Sequence, residues 1–135
     1  MAGQSLRLVL VTPETTIFDE LLAALRFPLN DGQIGILPGR APMIGRLGFG
    51  ELKLTQLDGS EASYFVDGGF VQVKAEAVTI LTDRALPRDQ INAAEAAAQL
   101  QQAVARVART DGEAAARFRD QERARQMLAL AEGGP

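Results

Sequence analysis

The chain is 135 residues long and 47% hydrophobic, enough apolar side chain for one ordinary domain or a small one with an appendage. It has no cysteine and no histidine, which removes disulfides, thiolate nucleophiles and cysteine metal sites, together with the commonest general base and transition-metal ligand. A formal charge of −3 argues against a nucleic-acid binder, whose phosphate contacts normally leave a basic excess or a basic face. No apolar run approaches the roughly 18 to 20 residues that cross a bilayer, and the stretch from Met1 to Leu10 lacks a basic region ahead of a long apolar core. The expectation is a soluble protein kept in the cytoplasm.

Ser5 to Thr12 puts Leu6, Leu8 and Leu10 on one face and Arg7, Val9 and Val11 on the other, the period of a strand, and Pro13 ends it. Thr16 to Glu20 and Leu22 to Leu29 read as a second and third strand, because Pro28 biases Phe27 towards extended geometry. The stretch from Asp31 to Leu47 gathers Gly32, Gly35, Gly39 and Gly45 around Pro38 and Pro42, which predicts tight corners joining very short strands. Ile34, Ile36, Leu37, Met43, Ile44 and Leu47 run through those corners, more apolar surface than a solvated loop needs, so part must pack inward and part is available to a partner.

Glu51 to Leu57 alternates cleanly, and Asp58-Gly59 is read as the two positive-φ residues of a tight hairpin whose return strand is Ala62 to Asp67. Gly68-Gly69 predicts another corner, Gly69 to Lys74 another strand, and Ala77 to Asp83 the last, after a turn near Ala75-Glu76. Eight to ten short strands with frequent turns indicate an all-β antiparallel sandwich or flattened barrel.

Near Leu86 the composition changes to alanine, arginine, glutamate and glutamine, which divides the chain into a β domain, 1–85, and a helical one, 86–135. Pro87 precedes a helix start with Asp89 as the predicted N-cap. Ala93, Ala96, Ala97, Leu100, Val104 and Val107 share one side of a helix expected to reach about Arg109. Thr110-Asp111-Gly112 is read as the break. A second helix, from about Glu113 to Glu132, places Ala114, Phe118 and Leu128 on one stripe, with Glu113 to Arg117 and Glu122 to Arg125 spaced to pair. Together these make a C-terminal antiparallel α-helical hairpin. Its alanine-dominated seam buries little area, so the helices should form readily and dock weakly.

Catalytic chemistry finds little support. Asp67, Asp83 and Asp89 could be assembled into a carboxylate site, but Asp67 and Asp83 stand at strand ends, where turn and capping roles are commoner. The spacing of Gly32, Gly35 and Gly39 fits neither a dinucleotide fingerprint nor a P-loop.

The runs GQIGILPGRAPMIG (Gly32 to Gly45), FVDGGFVQV (Phe65 to Val73) and AVTILTDRA (Ala77 to Ala85), followed by the alanine and arginine-rich hairpin, resemble the epsilon subunit of the bacterial F-type ATP synthase over essentially the whole chain. The family pattern is close to G-x-x-G-I-x-P-x-H-x-P, then GG-F/I-x-x-V, then V-x-I-L-x-D; the equivalent mitochondrial subunit is called delta. The resemblance implies a non-catalytic central-stalk rotor component with no cofactor and no metal. Its partners would be the gamma subunit, the c-subunit ring and the alpha/beta catalytic head. Its place would be the cytoplasmic face of the cell membrane, touching lipid only indirectly through the complex.

Carried over by position, the contact with the c-ring and gamma falls on Asp31, Gln33, Arg40, Pro42 and Met43. Arg40 replaces a frequent histidine and Gln33 a frequent acid; a guanidinium still meets carboxylates, but without the pH dependence of an imidazole. The resemblance further implies that the hairpin can extend into the head, where Arg117, Arg119, Arg123 and Arg125 would approach acidic loops and hinder ATP hydrolysis. Some members bind ATP through I/L-D-x-x-R-A. This chain reads Ile91-Asn92-Ala93-Ala94-Glu95-Ala96, and of two further arginine positions Arg123 matches one while Met127 stands at the other, so weak or no ATP binding is expected. The competing reading is a free-standing β-sandwich sensor of a small ligand or nucleotide, with a helical lid.

Overall fold

A computed structural model describes residues 5–29, 32–37 and 42–132, and the chain divides into two compact units, Met1–Pro87 and Arg88–Pro135. The first unit contains β1 (Leu6–Val11), β2 (Thr16–Leu22), β3 (Ala24–Leu29), β4 (Gly32–Ile36), β5 (Met43–Thr55), β6 (Glu61–Lys74), β7 (Ala77–Leu81) and β8 (Ala85–Pro87). They join in one hydrogen-bonded order, β2-β1-β7-β6-β5-β3-β4, with β8 added to β6. The alternation in β1 is realised, since Leu6, Leu8 and Leu10 are all buried. They share one core cluster with Leu22 of β2, Phe27 of β3, Ile36 of β4, Leu52 and Leu54 of β5, Val71 of β6 and Ile80 of β7. Strands from both ends of a single sheet reach one core only if the sheet folds over on itself, which is the sandwich. Each fully buried leucine or phenylalanine there contributes about 1.5–3 kcal/mol.

The structure departs from the predicted strands at several points. β1 pairs with β7 in parallel, whereas the other described pairs are antiparallel. Gly68 and Gly69 do not end a strand: both have positive φ (77° and 119°), and β6 continues through them. Before them Tyr64 to Val66 pair with β8, and after them Phe70 to Lys74 pair with β7. These glycines therefore re-aim one strand from one neighbour to another. β8 escaped prediction because three residues carry no readable period.

The β5–β6 turn also differs. Gly59 has positive φ (89°) but Asp58 does not. Gly59 N–H donates to Gln56 C=O at 2.9 Å, and Asp58 instead accepts from Ser60 N–H at 2.9 Å and from its hydroxyl at 2.6 Å. The Ser60 hydroxyl is the main reason the Asp58 carboxyl sits below its ordinary value. This is a three-residue loop with glycine in the left-handed position rather than a two-residue turn.

Ala75, in the β6–β7 turn, has φ of 55°, a conformation unfavourable for any residue with a Cβ. Ala75→Gly is therefore expected to stabilise the unit by roughly 0.5–1 kcal/mol, after allowance for the greater freedom of glycine in the unfolded chain. Urea denaturation of the two proteins checks this.

In the second unit a single 3-10 turn, Arg88–Gln90, precedes α1 (Ala93–Ala105) and α2 (Asp111–Glu132). The cap of α1 is Asn92, whose Oδ1 accepts from Glu95 N–H at 3.0 Å, and not Asp89, which belongs to the 3-10 turn. α1 ends at Ala105, short of the predicted Arg109, because Arg106 turns extended with ψ of 135°. Gly112 lies inside the first turn of α2. The connection is instead Arg106 to Thr110, and the Thr110 hydroxyl accepts from Glu113 N–H at 3.0 Å while Glu113 Oε1 accepts from Arg109 N–H at 2.8 Å. This is a close variant of a capping box.

Glu113 is thus used at the helix start, and Arg117 reaches Arg106 C=O, rather than the two pairing with each other. The Glu122–Arg125 pair does form. The predicted stripe of α1 holds over its first two turns, where Ala96 is buried and Ala93, Ala97 and Leu100 are half-buried, but fails beyond them, and the stripe predicted for α2 is rotated from the real one. Ala96, Ala103, Ala124, Met127 and Leu130 are buried, while Val104, Val107, Ala114 and Phe118 are exposed. Apolar side chains in α2 are distributed around the helix, so apolar spacing alone could not fix its rotation.

Candidate functional site

Two surfaces of the first unit and one of the second bear on function. At the start of β4 and of β5, Gln33 is exposed, with Nε2 donating to Glu51 C=O at 3.4 Å. Pro42 is exposed, and Met43 is half-buried against the core. Asp31 and Arg40 lie outside the described residues. Ile36 is buried while Leu37, the next residue, is 66% exposed, so this rim anchors inward on one side and offers apolar surface on the other.

The second surface is the outer face of β5, β6, β7 and β1. Here Arg46 is opposite Phe70, Phe70 opposite Leu81, and Leu81 opposite Val11. The Arg46 guanidinium lies 5.8 Å from the centre of the Phe70 ring. Phe70 is 53% exposed, Leu81 51% and Ile44 77%. A shallow hollow of about 580 Å³ opens here between Arg46, Phe70, Leu81, Thr82 and Pro13. The floor is fixed by Thr82, whose hydroxyl donates to Arg84 C=O at 3.2 Å and accepts from Asp67 N–H at 3.3 Å. Sequence reasoning named Ile44 among the apolar residues open to a partner but missed Arg46, Phe70 and Leu81, and with them the face. The signal was present: Ile44, Phe70 and Leu81 stand at the outward positions of strands whose inward positions hold Leu47, Val71 and Ile80.

On α2 the four arginines have unequal surroundings. Arg117 Nη1 donates to Arg106 C=O at 2.9 Å, Arg123 Nη1 to Asp120 Oδ1 at 2.8 Å, and Arg125 pairs with Glu122. Arg119 is exposed. Asp120 also accepts from Arg106 Nη1 at 2.6 Å. That bond is the main cause holding the Asp120 carboxyl below its usual value; desolvation opposes it, and Arg123 adds to the lowering. A depressed carboxylate stabilises the fold above its unfolded pKa and stops doing so as pH falls through the folded value. Of the positions where a nucleotide motif would lie, Asn92 caps α1, Glu95 places a negative charge in its first turn and Met127 is buried. Among the described residues no cluster of acidic side chains is placed to hold a metal ion, and no helix is long and apolar enough to cross a membrane.

A sandwich with an exposed apolar face, joined to a polar helical hairpin, is the architecture of a subunit that works by docking. Residues 5–88 match the family described as ATP synthase, Delta/Epsilon chain, beta-sandwich domain. The chain is 48% identical over 100 residues to the ATP synthase epsilon chain of Rhodopirellula baltica, covering 74% of this chain and 77% of that one. It is 34% identical over 127 residues to the ATP synthase epsilon chain of Synechococcus, covering 92% and 91%. Among solved structures, a chain of the Euglena gracilis mitochondrial ATP synthase (OSCP/F1/c-ring, rotational state 1) superposes with a TM-score of 0.86 at 25% identity, covering 94% of this chain and 81% of that one. A chain of the Tetrahymena thermophila mitochondrial ATP synthase (central stalk/c-ring) shares the fold, with a TM-score of 0.74 at 16% identity over 97% and 99% of the two chains.

The protein belongs to the ATP synthase epsilon family. It is a rotor-stalk subunit of an F-type ATP synthase, accessory to the catalytic subunits and not catalytic alone, and part of a membrane-associated complex.

Proposed function

We propose that the β-sandwich couples rotation by gripping the gamma subunit through its apolar outer face and meeting the c-ring through the rim that bears Asp31, Gln33, Arg40, Pro42 and Met43. The observation that carries this reading is the outer face itself. Ile44, Phe70 and Leu81 are held in register on strands whose opposite side forms a complete core, so their exposure is not a defect of folding. Relatives whose structures are described as central stalk and c-ring supply the class of partner for such a surface. The assembly would lie at the cytoplasmic face of the cell membrane, with the alpha/beta head as the third partner.

The helical hairpin, on this reading, adjusts hydrolysis by presenting Arg117, Arg119, Arg123 and Arg125 to acidic loops of the head. ATP hydrolysis by a reconstituted head tests it, comparing the full chain with one ended after Pro87. The cut is placed there because Ala85 to Pro87 pair with β6 and Ala85 is buried. A several-fold rise on truncation is expected, and equal rates would leave only coupling to this subunit. Nucleotide is not expected to bind the hairpin: isothermal titration of ATP into the full chain should give no heat at micromolar concentrations, and a micromolar Kd would refute this.

A further inference from the structure

The end of α1 lacks what usually holds a helix C-terminus. Its last turn contains no basic residue, its cap Arg106 is extended and gives Ala103 C=O a long N–H bond of 3.4 Å, and Val107 just beyond is 70% exposed. No large apolar side chain is buried near this end of the hairpin, where Ala103 is the buried residue of α1. The free carbonyls of a final turn need partners, and its partial negative charge favours a cation.

α2 supplies both. Three of its side chains within one helical turn reach back to the same place: Arg117 Nη1 to Arg106 C=O at 2.9 Å, Gln121 Nε2 to Ala103 C=O at 3.5 Å, and Asp120 Oδ2 to Arg106 Nη1 at 2.6 Å. The other oxygen of Asp120 accepts from Arg123 at 2.8 Å.

We propose that Arg106, Arg117, Asp120 and Arg123 form a polar latch that closes the hairpin and, while closed, keeps Arg117 and Arg123 from carboxylates outside the chain. Under this proposal the folded hairpin masks half of the basic set that the reading above assigns to the head. Asp120 and the Arg106 carbonyl compete for the same guanidinium groups that an acidic partner would take. The latch is weak by construction, because exposed ion pairs contribute little each and the alanine seam beside them is shallow. A weak latch suits a device that opens.

The masking role rests on the regulatory reading of the hairpin, so the test has two separable arms. In the first, hydrogen exchange is measured on the full chain. Asp120→Ala should speed exchange of the amides from Arg106 to Glu113 by about two- to fivefold, with the amides of the β-sandwich unchanged. Alanine is the better helix former, so faster exchange cannot be a propensity effect. Arg106→Ala with Asp120→Ala should be less than additive, because each removes the same bond. Unchanged exchange, or full additivity, overturns the latch whatever the hairpin does in the complex.

In the second arm, the Asp120→Ala chain is assembled with the head beside the chain ended after Pro87. Lower hydrolysis than with the unaltered chain, together with a rise on truncation, supports masking. If truncation raises hydrolysis and Asp120→Ala leaves it unchanged despite faster exchange, masking is overturned. If truncation itself changes nothing, the regulatory reading and the masking built on it both fail, and the exchange data alone decide whether the latch closes the hairpin.

Discussion

Gly69→Ala is expected to unfold the β-sandwich or leave it barely stable. A Cβ at this position would stand 1.8 Å from the carbonyl oxygen of Leu81, 2.8 Å from its carbon and 2.9 Å from Thr82 Cα. All three are backbone atoms, so no side-chain rotation relieves the overlap, and φ of 119° is strained for alanine in any surroundings. The only response is separation of β6 from β7, which carry Val71, Val73, Val78 and Ile80 of the core. A loss of about 3–5 kcal/mol would remove much of the ordinary 5–15 kcal/mol of a domain. For a unit of this size the thermal midpoint should fall by at least about 12 °C. Gly59→Ala is the control, since its φ of 89° is also unfavourable but nothing lies within 4 Å of the added carbon. It should cost only about 1–2 kcal/mol. A midpoint for Gly69→Ala within two or three degrees of the unaltered chain would contradict the account of β6.

Phe70→Glu should do the opposite, leaving the fold and removing the partner. The ring is already half in solvent, so little burial is lost in the isolated chain, and the new carboxylate would lie opposite Arg46. In the complex the same change would put a charge in the middle of the proposed apolar contact around Phe70, Leu81 and Ile44. Central aromatic anchors commonly carry 2 kcal/mol or more, so the affinity for gamma should drop by roughly 30-fold or further. The checks are calorimetric unfolding of the isolated chain, with a midpoint within a few degrees of the original, and titration against purified gamma.

The fold was legible in the sequence wherever one period dominated. Leu6, Leu8 and Leu10 announce β1 because one face is buried and the other solvated, and the shift to alanine and charge beyond Leu86 announces the helices. Errors arose where long-range pairing decides. Gly68-Gly69 reads as a corner when only its neighbours in sequence are considered. It becomes a bend inside a strand because β8 and β7 hold its two halves, and neither pairing has a local signature. In α2 the apolar residues do not form one stripe, so the side chains reaching α1 were set by Arg106 and Asp120, fourteen residues apart.

The candidate sites divide in the same way. Gln33, Pro42 and Met43 came from motif resemblance, and their exposed or half-buried placement suits a contact rim. The face of Ile44, Arg46, Phe70 and Leu81 was readable as outward positions, but only register brings four residues from three strands into one patch. Asn92, first singled out as a departure from a nucleotide motif, has a plainer use as the cap of α1.

The central claim is that the outer apolar face of the sandwich is a grip on the rotor shaft. It is tested most directly by co-expressing the chain with gamma and measuring the mass of the purified material by light scattering. The account predicts a stable one-to-one pair, formed equally by the chain ended after Pro87 and lost with Phe70→Glu. A monodisperse monomer of the unaltered chain in the presence of gamma would contradict it.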